Sequence, residues 1–346
     1  MQRLKEEIVS TARRMGIDKV GFTTRERLAD APPSADLGYL LPSARSAISV
    51  AVALDKTAIR AYLGKVDYAA HTSDHRASYM KVIEAGMAIR ELLRERGYEA
   101  ETSWPNFEYR SGQPFLALVP PVSHRYIAVA SGIGWLGWSG NVVTPEYGGT
   151  ISLSSVVTSA ELEPDEPLEQ RDSCEDCHLC AAVCASHFVS PKAETTVTIA
   201  GHTYTHNKKA PNLRCMVTCG GANGVTDREA KWSTWSYKVL DLPGPGDDEE
   251  FVRRVLEYGK DPDNRLLRGL LGADSFTPPD LEHADKWLNV LRFTCGNCML
   301  VCWPELKDRK ENYRLLTTSG RVVKGDSGPV VVRDSALSEP TLSART

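Results

Sequence analysis

Seven of the nine cysteines in this 346-residue chain lie in two short runs, and none occurs before Cys174. The first run, CEDCHLCAAVC, spaces Cys174, Cys177, Cys180 and Cys184 as C-x2-C-x2-C-x3-C. The second, CGNCMLVCWP, spaces Cys295, Cys298 and Cys302 as C-x2-C-x3-C, with Cys215 and Cys219 upstream. Three thiolates set two residues apart wrap a loop around one iron–sulfur cubane, while the fourth points away to a neighbouring cluster. The crossed pattern predicts one [4Fe–4S] cluster on Cys174, Cys177, Cys180 and Cys302. A second cluster takes Cys184, Cys295, Cys298 and one of Cys215 or Cys219, with Cys215 preferred. Structural zinc is held by paired C-x2-C hooks, which the triple run matches poorly. One departure stands out. Proline ordinarily follows the last cysteine of such a run, but Ala185 follows Cys184, and Pro304 comes one residue late, after Trp303.

The elements that must position these thiols can be read from the hydrophobic pattern. Residues 3–15 place Leu4, Ile8, Ala12 and Met15 on one helical face, and Gly16 closes the helix. DKVGF reads as a short strand, and SAISVAVAL at 46–54 as a strand buried on both faces. A helix is expected from about Arg76 to Arg96, then a strand in FLALVPPV that its two prolines end. TISLSSVVTSAELEP supplies a further strand and connection. This alternation predicts an α+β arrangement, with a first domain over 1–165. Beyond it the chain is turn-rich and holds every cysteine, which suits a ferredoxin-like double-cluster domain over 166–317 with an inserted segment at about 190–290. Helices are expected in FVRRVLEYG and PDLEHADKWLNVLRF. Residues 318–346 offer one or two short strands and a polar tail. GHTYTHNKKAPNL and KWSTWSYK carry no readable pattern.

Composition narrows the function. The chain is 42% hydrophobic and 25% charged, with a net charge of −4 and no dense basic stripe. A nucleic-acid partner is therefore not expected. No apolar run approaches the eighteen or so residues of a spanning helix, and MQRLKEEIVSTARRMG reads as neither a secretory nor a twin-arginine leader. A cytoplasmic protein with reduced thiols is expected, which also disfavours disulfides. A cluster pair alone makes an electron carrier, so the large cysteine-free segment must use the electrons. No G-x-G-x-x-G opens a helix there, and GIGWLGWSG has the wrong spacing for a dinucleotide site.

Several segments, taken in order, carry a family resemblance. ARRMGIDKVGF, PSARSAISVAVAL, PPVSHRYIAVASGIGWLGWSGNVVTPEYG and both cysteine runs resemble the epoxyqueuosine reductases and reductive dehalogenases, over about residues 5–310. The resemblance implies a nitroreductase-like first domain that holds base-off cobalamin beside the nearer cluster. It implies electrons from reduced ferredoxin or flavodoxin, and a Co(I) centre that cleaves a carbon–halogen or carbon–oxygen bond of a small organic molecule. The chain lacks a D-x-H-x-x-G motif, so histidine ligation of cobalt is not expected.

The resemblance also nominates residues. Epoxyqueuosine reductases carry a V-D-S-A-P-like run with the aspartate as acid, but alignment on Pro120-Pro121 puts Leu118-Val119 where Asp-Ser should be. Dehalogenases use a tyrosine assisted by a basic side chain, which points to Tyr109 in SWPNFEYRSG and to His124 and Tyr126 in PPVSHRY. Arg110 and Arg125 read as surface or cofactor-tail contacts. By the same resemblance Asp74, His75 and Tyr79 in TSDHRASY face the corrin, with Gly134, Gly137, Asn141 and Tyr147 further on. A glycine lets backbone approach a flat macrocycle. Two alternatives stay open: a protein that reduces or donates electrons to another corrinoid enzyme, and an epoxyqueuosine reductase with a relocated acid that binds a tRNA anticodon stem.

Overall fold

The computed structural model describes residues 2–106, 108–112, 117–169, 174, 177–229, 231–264, 267, 271, 281–283, 285, 293–326 and 328–333. Its first part runs α1 (Gln2–Arg14), β1 (Lys19–Thr24), β2 (Ser46–Ala53), α2 (Lys56–Leu63), α3 (Tyr68–Glu95) and β3 (Ala100–Ser103). It continues with α4 (His124–Ala130), β4 (Trp135–Leu136), β5 (Val142–Val143) and β6 (Ile151–Thr158). Four of these strands form an antiparallel sheet in the order β1-β2-β6-β3, with β4 and β5 a separate hairpin.

The central strand β2 explains why the sheet has two buried faces. Ile48, Val50 and Val52 pack with Ile8 and Ala12 of α1 and with Val82, Ile89 and Leu93 of α3. The alternate residues Ala47 and Ala51 meet Ile127 and Ala130 of α4 on the opposite face. They are small because α4 comes close: a Cβ on Gly21 of β1 would lie 2.2 Å from the Ser131 carbonyl oxygen. The doubly buried strand expected at 46–54 is present, with helices covering both sides of an antiparallel sheet.

Two differences from the sequence reading matter for the site. First, α3 begins eight residues before the expected Arg76. Asp67 caps it, its Oδ1 accepting from Ala70 N at 3.0 Å, so Asp74, His75 and Tyr79 all lie on one long helix. Second, the strand expected in FLALVPPV is not formed by its described residues, 117–122. Leu118 sits at φ +46, and Pro120 and Pro121 lack the N–H that a ladder needs. The edge beside β6 is taken by β3 instead.

The second part comprises α5 (Leu179–Ala182), a hairpin of β7 (Glu194–Ile199) and β8 (His202–Asn207), α6 (Asn212–Cys219), α7 (Asp248–Tyr258), α8 (Asn297–Leu300), α9 (Leu306–Thr317) and a hairpin of β9 (Arg321–Gly325) and β10 (Gly328–Val332). The β7–β8 turn, illegible in the sequence, places Ala200 and Gly201 at positive φ. Asp30 holds it, accepting from Ala200 N at 2.9 Å and Gly201 N at 2.7 Å. Of the expected helix PDLEHADKWLNVLRF, residues 281–283 and 285 are helical; all but Phe293 of the rest lies outside the described residues. The two parts share a core in which Ile59 and Leu63 of α2 pack with Leu300, Val301, Leu315 and Leu316. Trp232 joins this core, and Trp235 Nε1 donates to Tyr62 O at 2.9 Å. Among the described residues no helix is long and apolar enough to cross a membrane.

Gly21→Ala should cost about 1–3 kcal/mol by overpacking, read as a lowered denaturation midpoint. An unchanged midpoint would show that α4 can move away from β1 freely.

Candidate active site

All nine cysteines are free thiols, and folding gathers them into two neighbourhoods. Cys180 has its thiol pushed up by burial first and then by Cys302, Cys174 and Cys177. Cys302 is pushed up to about 12 by burial, with Cys174 and Cys177 again among its neighbours. The other neighbourhood joins Cys184, Cys295, Cys298 and Cys215: Cys298 is raised well above the usual thiol range by burial, then by Cys184, Cys215 and Cys295. Both cysteines of α6 reach this second set. Cys215 and Cys219 lie one turn apart with their Sγ atoms 3.4 Å from each other, and hydrogen bonding to Cys219 lowers the Cys295 thiol to about 7. Cys215 acts electrostatically on Cys184, Cys295 and Cys298, and Cys219 hydrogen-bonds with Cys215 and Cys295. Among the described residues no three His, Cys, Asp or Glu side chains converge closely enough to hold a single metal ion. The thiols are disposed around two volumes.

Local backbone makes this possible. The residue after Cys177, His178, and the residue after Cys295, Gly296, both adopt the left-handed conformation, at φ 42 and φ 96. Each turn thereby points its thiols inward and leads straight into a short helix, α5 or α8. His178 accepts the strain that glycine avoids, and its ring stacks on Trp138 at 3.9 Å. Trp138 N in turn donates to Cys174 Sγ at 3.3 Å. The T-P-E-Y-G turn closes the other side. Gly149 N donates to Cys302 O at 2.7 Å, and a Cβ on Gly148, at φ +62, would lie 2.1 Å from that same oxygen.

A cavity of about 560 Å³ lies near the thiols, separated from them by residues that adjoin Cys302 and Cys298. Gly149, which passes beside Cys302, and Asn141, whose Nδ2 is 3.8 Å from Cys298 Sγ, line it on the thiol side. Of the residues nominated from sequence, Tyr109, His124, Tyr126, His75, Tyr79 and Asn141 line the cavity. Asp74, Gly134, Gly137 and Tyr147 are not part of its wall. Asp74 Oδ2 accepts from Asp55 N at 2.9 Å, ahead of α2. A Cβ at Gly134 would meet Val143 O at 2.3 Å, and one at Gly137 would lie 3.4 Å from Cys174 Sγ, so these glycines serve the β4–β5 hairpin and its approach to the thiols. Tyr147 packs on the core beside α4.

The cavity wall is chemically divided. Tyr79 OH donates to Pro105 O at 3.2 Å and accepts from Asn106 Nδ2, while Tyr109 OH donates to Asn106 O at 3.4 Å. Burial raises both phenols. Glu108, adjacent to Tyr109, also lines the cavity, and burial raises its carboxyl above the ordinary range. Sequence reading missed it, although an acidic residue beside the nominated tyrosine was a usable signal. Elsewhere on the wall lie two cations. Arg125, read as a surface or tail contact, donates to Gly140 O at 3.3 Å. Lys209, from the unreadable NKKAPNL stretch, sits over Gly140, whose missing Cβ leaves the room it occupies. Burial, aided by Arg125, pulls the lysine down to about 7.

Three imidazoles in this region, His71, His75 and His124, are held toward the neutral form. Burial lowers His71 to about 3, and His75 and His124 to about 4. Nδ1 of His75 and of His124 has no hydrogen-bond partner, while His124 Nε2 lies 3.5 Å from Ser103 Oγ. Orphaned polar atoms on a cavity wall, beside aromatic rings and buried thiols, fit a large polar cofactor as well as a substrate.

No family model matches the chain. It is similar to an epoxyqueuosine reductase of Bacillus cereus, 26% identical over 208 residues, covering 53% of this chain and 51% of the relative. An epoxyqueuosine reductase of Gloeobacter violaceus is 26% identical over 289 residues, covering 73% of this chain and 84% of the relative. The chain spans about half the length of the first curated relatives it matches. Among solved structures, a reductive dehalogenase described as suggesting a mechanism for B12-dependent dehalogenation matches 94% of this chain and 40% of its own, at TM-score 0.50 and 15% identity. This is a likeness of fold. The resemblance carried by the sequence segments is therefore found again in both groups, whose named members are oxidoreductases.

Two outcomes follow from the geometry. Unfolded histidine titrates near 6.5, so the neutral buried imidazoles support the fold fully above that value. Stability should fall as pH drops from about 6.5 toward 4, where the unfolded state takes up protons that the folded state refuses. Denaturant midpoints measured across that window check this, and His71→Gln should flatten the decline. Separately, Gly148→Ala should disrupt the closure against Cys302, seen as a marked loss of thermal stability. A wild-type melting curve would show that the Cys302 segment is held by other contacts.

Proposed function

We propose that the chain is a cobalamin-dependent iron–sulfur reductase that removes a leaving group, halide or oxygen, from a small organic molecule. One observation carries the reading: two sets of buried thiols lie beside a cavity whose wall bears acidic, phenolic and cationic side chains. In this reading residues 1–165 form a nitroreductase-like domain, 166–317 a ferredoxin-like domain with its insertion, and 318–346 a tail. Cys174, Cys177, Cys180 and Cys302 hold one [4Fe–4S] cluster, and Cys184, Cys215, Cys295 and Cys298 the other. The donor sets fit, since thiolates are the ligands such clusters take. Cys215 is favoured over Cys219 because it neighbours more of its set. Reduced ferredoxin or flavodoxin supplies the electrons.

A bound corrinoid supplies the low-potential reducing centre. His75 and Tyr79 on α3 and Asn141 on the facing loop are placed to hold it, with aromatic and glycine surfaces around them. Glu108 carries the proton on its carboxyl, which burial keeps protonated to higher pH than a free carboxylate. That is the property a general acid needs near neutrality. Tyr109 is the second candidate donor through its hydroxyl, and Tyr126 and His124 shape the space above. Arg125 and Lys209 neutralise negative charge that develops on the departing group.

The resemblance to epoxyqueuosine reductases favours a second reading, in which the substrate is a modified tRNA and Glu108 replaces the acid missing at Leu118. Turnover on epoxyqueuosine-containing tRNA, with no turnover of a halogenated phenol, would select it.

Anaerobic purification should yield about eight iron and eight sulfide per chain and stoichiometric binding of hydroxocobalamin. Eight iron without corrinoid binding would leave an electron carrier. Cys215→Ser should lose about half of the iron while Cys219→Ser keeps it; the reverse result would exchange their roles. In viologen-driven assays Glu108→Gln should lower kcat by about 10²–10⁴-fold, and Tyr109→Phe less. Unaltered turnover in both removes this loop from proton delivery.

A further inference from the structure

Lys65 is a buried lysine that the reading above leaves unused. It is the second residue beyond α2, with its backbone in the left-handed region at φ +52, where glycine or asparagine is the usual occupant. It is 3% exposed. Its Nζ donates to Ser319 Oγ at 2.8 Å, and Ser319, fully buried, donates onward to Leu316 O at 2.7 Å. Among the described residues Lys65 forms no ion pair with a carboxylate. Burial pulls a lysine held in this way, without an acidic partner, down to about 7, and a negative charge nearby is what draws it back toward the ammonium form.

The geometry supplies one. Tyr62, three residues earlier and on the same side of α2, donates its hydroxyl to Cys295 O at 3.0 Å and Phe293 O at 3.1 Å. The end of α2 is thereby clamped over the second thiol set. Cys295 is the negative group acting most strongly on Lys65. Arg333, the other charge acting on it, is positive and donates to the carbonyls of Gly64 and Lys65.

We propose that Lys65 sets the reduction potential of the iron–sulfur cluster held by the second thiol set. The inference rests on the iron–sulfur reading given above. On reduction such a cluster accepts one electron from a one-electron donor, with no bond made or broken. Its net charge becomes one unit more negative, and the protonated form of a lysine held beside it favours that state. Charge and hydrogen bonding around the sulfurs are the means by which proteins tune these potentials. Tyr62 acts as the positioning residue and Lys65 as the tuning residue.

The test is a potentiometric titration with dithionite, monitored by electron paramagnetic resonance, on the anaerobically purified full chain. Lys65→Gln keeps a donor for Ser319 and removes the charge. It should make reduction of one cluster at least about tenfold less favourable, a downward shift of about 59 mV for a one-electron couple, and leave the other cluster where it was. Lys65→Arg should stay close to wild type. Both potentials unchanged in Lys65→Gln would overturn the proposal and leave the lysine a packing residue. Should that variant fail to retain iron, Ser319→Ala, which releases the ammonium from its anchor, is titrated in its place. Unaltered potentials there overturn the proposal equally. A wild-type chain without iron would instead remove the iron–sulfur reading itself.

Discussion

The hydrogen bond from Gly149 N to Cys302 O joins two segments more than 150 residues apart. Everything around the thiols depends on that closure. It seats the end of the second cysteine run against the turn that leads into β6, so a thiol from the far end of the chain reaches those at 174–180. The turn must come within contact distance of a carbonyl oxygen, which only a residue without a side chain permits at Gly148. The sheet enters the same logic from behind. β6 is paired along its whole length with β2, and the turn inherits its position from that pairing.

The cavity is a by-product of this arrangement. One wall is α3, which extends for roughly 42 Å at the usual helical rise and carries His75 and Tyr79 midway between α2 and the sheet core. Another part of the wall comes from the described residues 104–106, 108–109 and 117–120, where Leu118 is left-handed. The floor is the thiol side. Regular elements therefore fix the thiol side, while the loop side carries a carboxyl and a phenol, Glu108 and Tyr109, and the cations Arg125 and Lys209 come from elsewhere on the wall.

What could be read from the sequence follows the range of the forces involved. That the two cysteine runs come together was legible because their spacing is a local pattern, and β1, β2 and β6 because their alternation or continuous apolarity is local too. The FLALVPPV strand failed because a β-like composition was overridden by two prolines and by competition from β3 for the sheet edge. The early start of α3 was missed because its first two turns, YAAHTSD, carry no large aliphatic residue to mark a helical stripe, and only the Asp67 cap announces it. The β7–β8 hairpin has no glycine–asparagine signal of its own strength; its turn is held by Asp30, a residue from the other end of the chain. Glu108, Arg125 and Lys209 share a cavity only through tertiary packing, which no spacing rule reports. Gly134 and Gly137 were legible as glycines that something approaches closely, but the approaching partners are Val143 and Cys174.

The matching left-handed residues after Cys177 and Cys295 give the two cysteine turns the same handed geometry, as if one were a copy of the other. They are anchored unequally. The half with Gly296 is unstrained and is gripped by the helices around it, whereas the half with His178 is braced by an indole from the cysteine-free part of the chain. Two turns that share a left-handed residue at the matching position but differ in what holds it are not interchangeable. Trp138 both stacks on His178 and donates to Cys174 Sγ, so the shape of the first cysteine turn is tied to a side chain that belongs to the cysteine-free part.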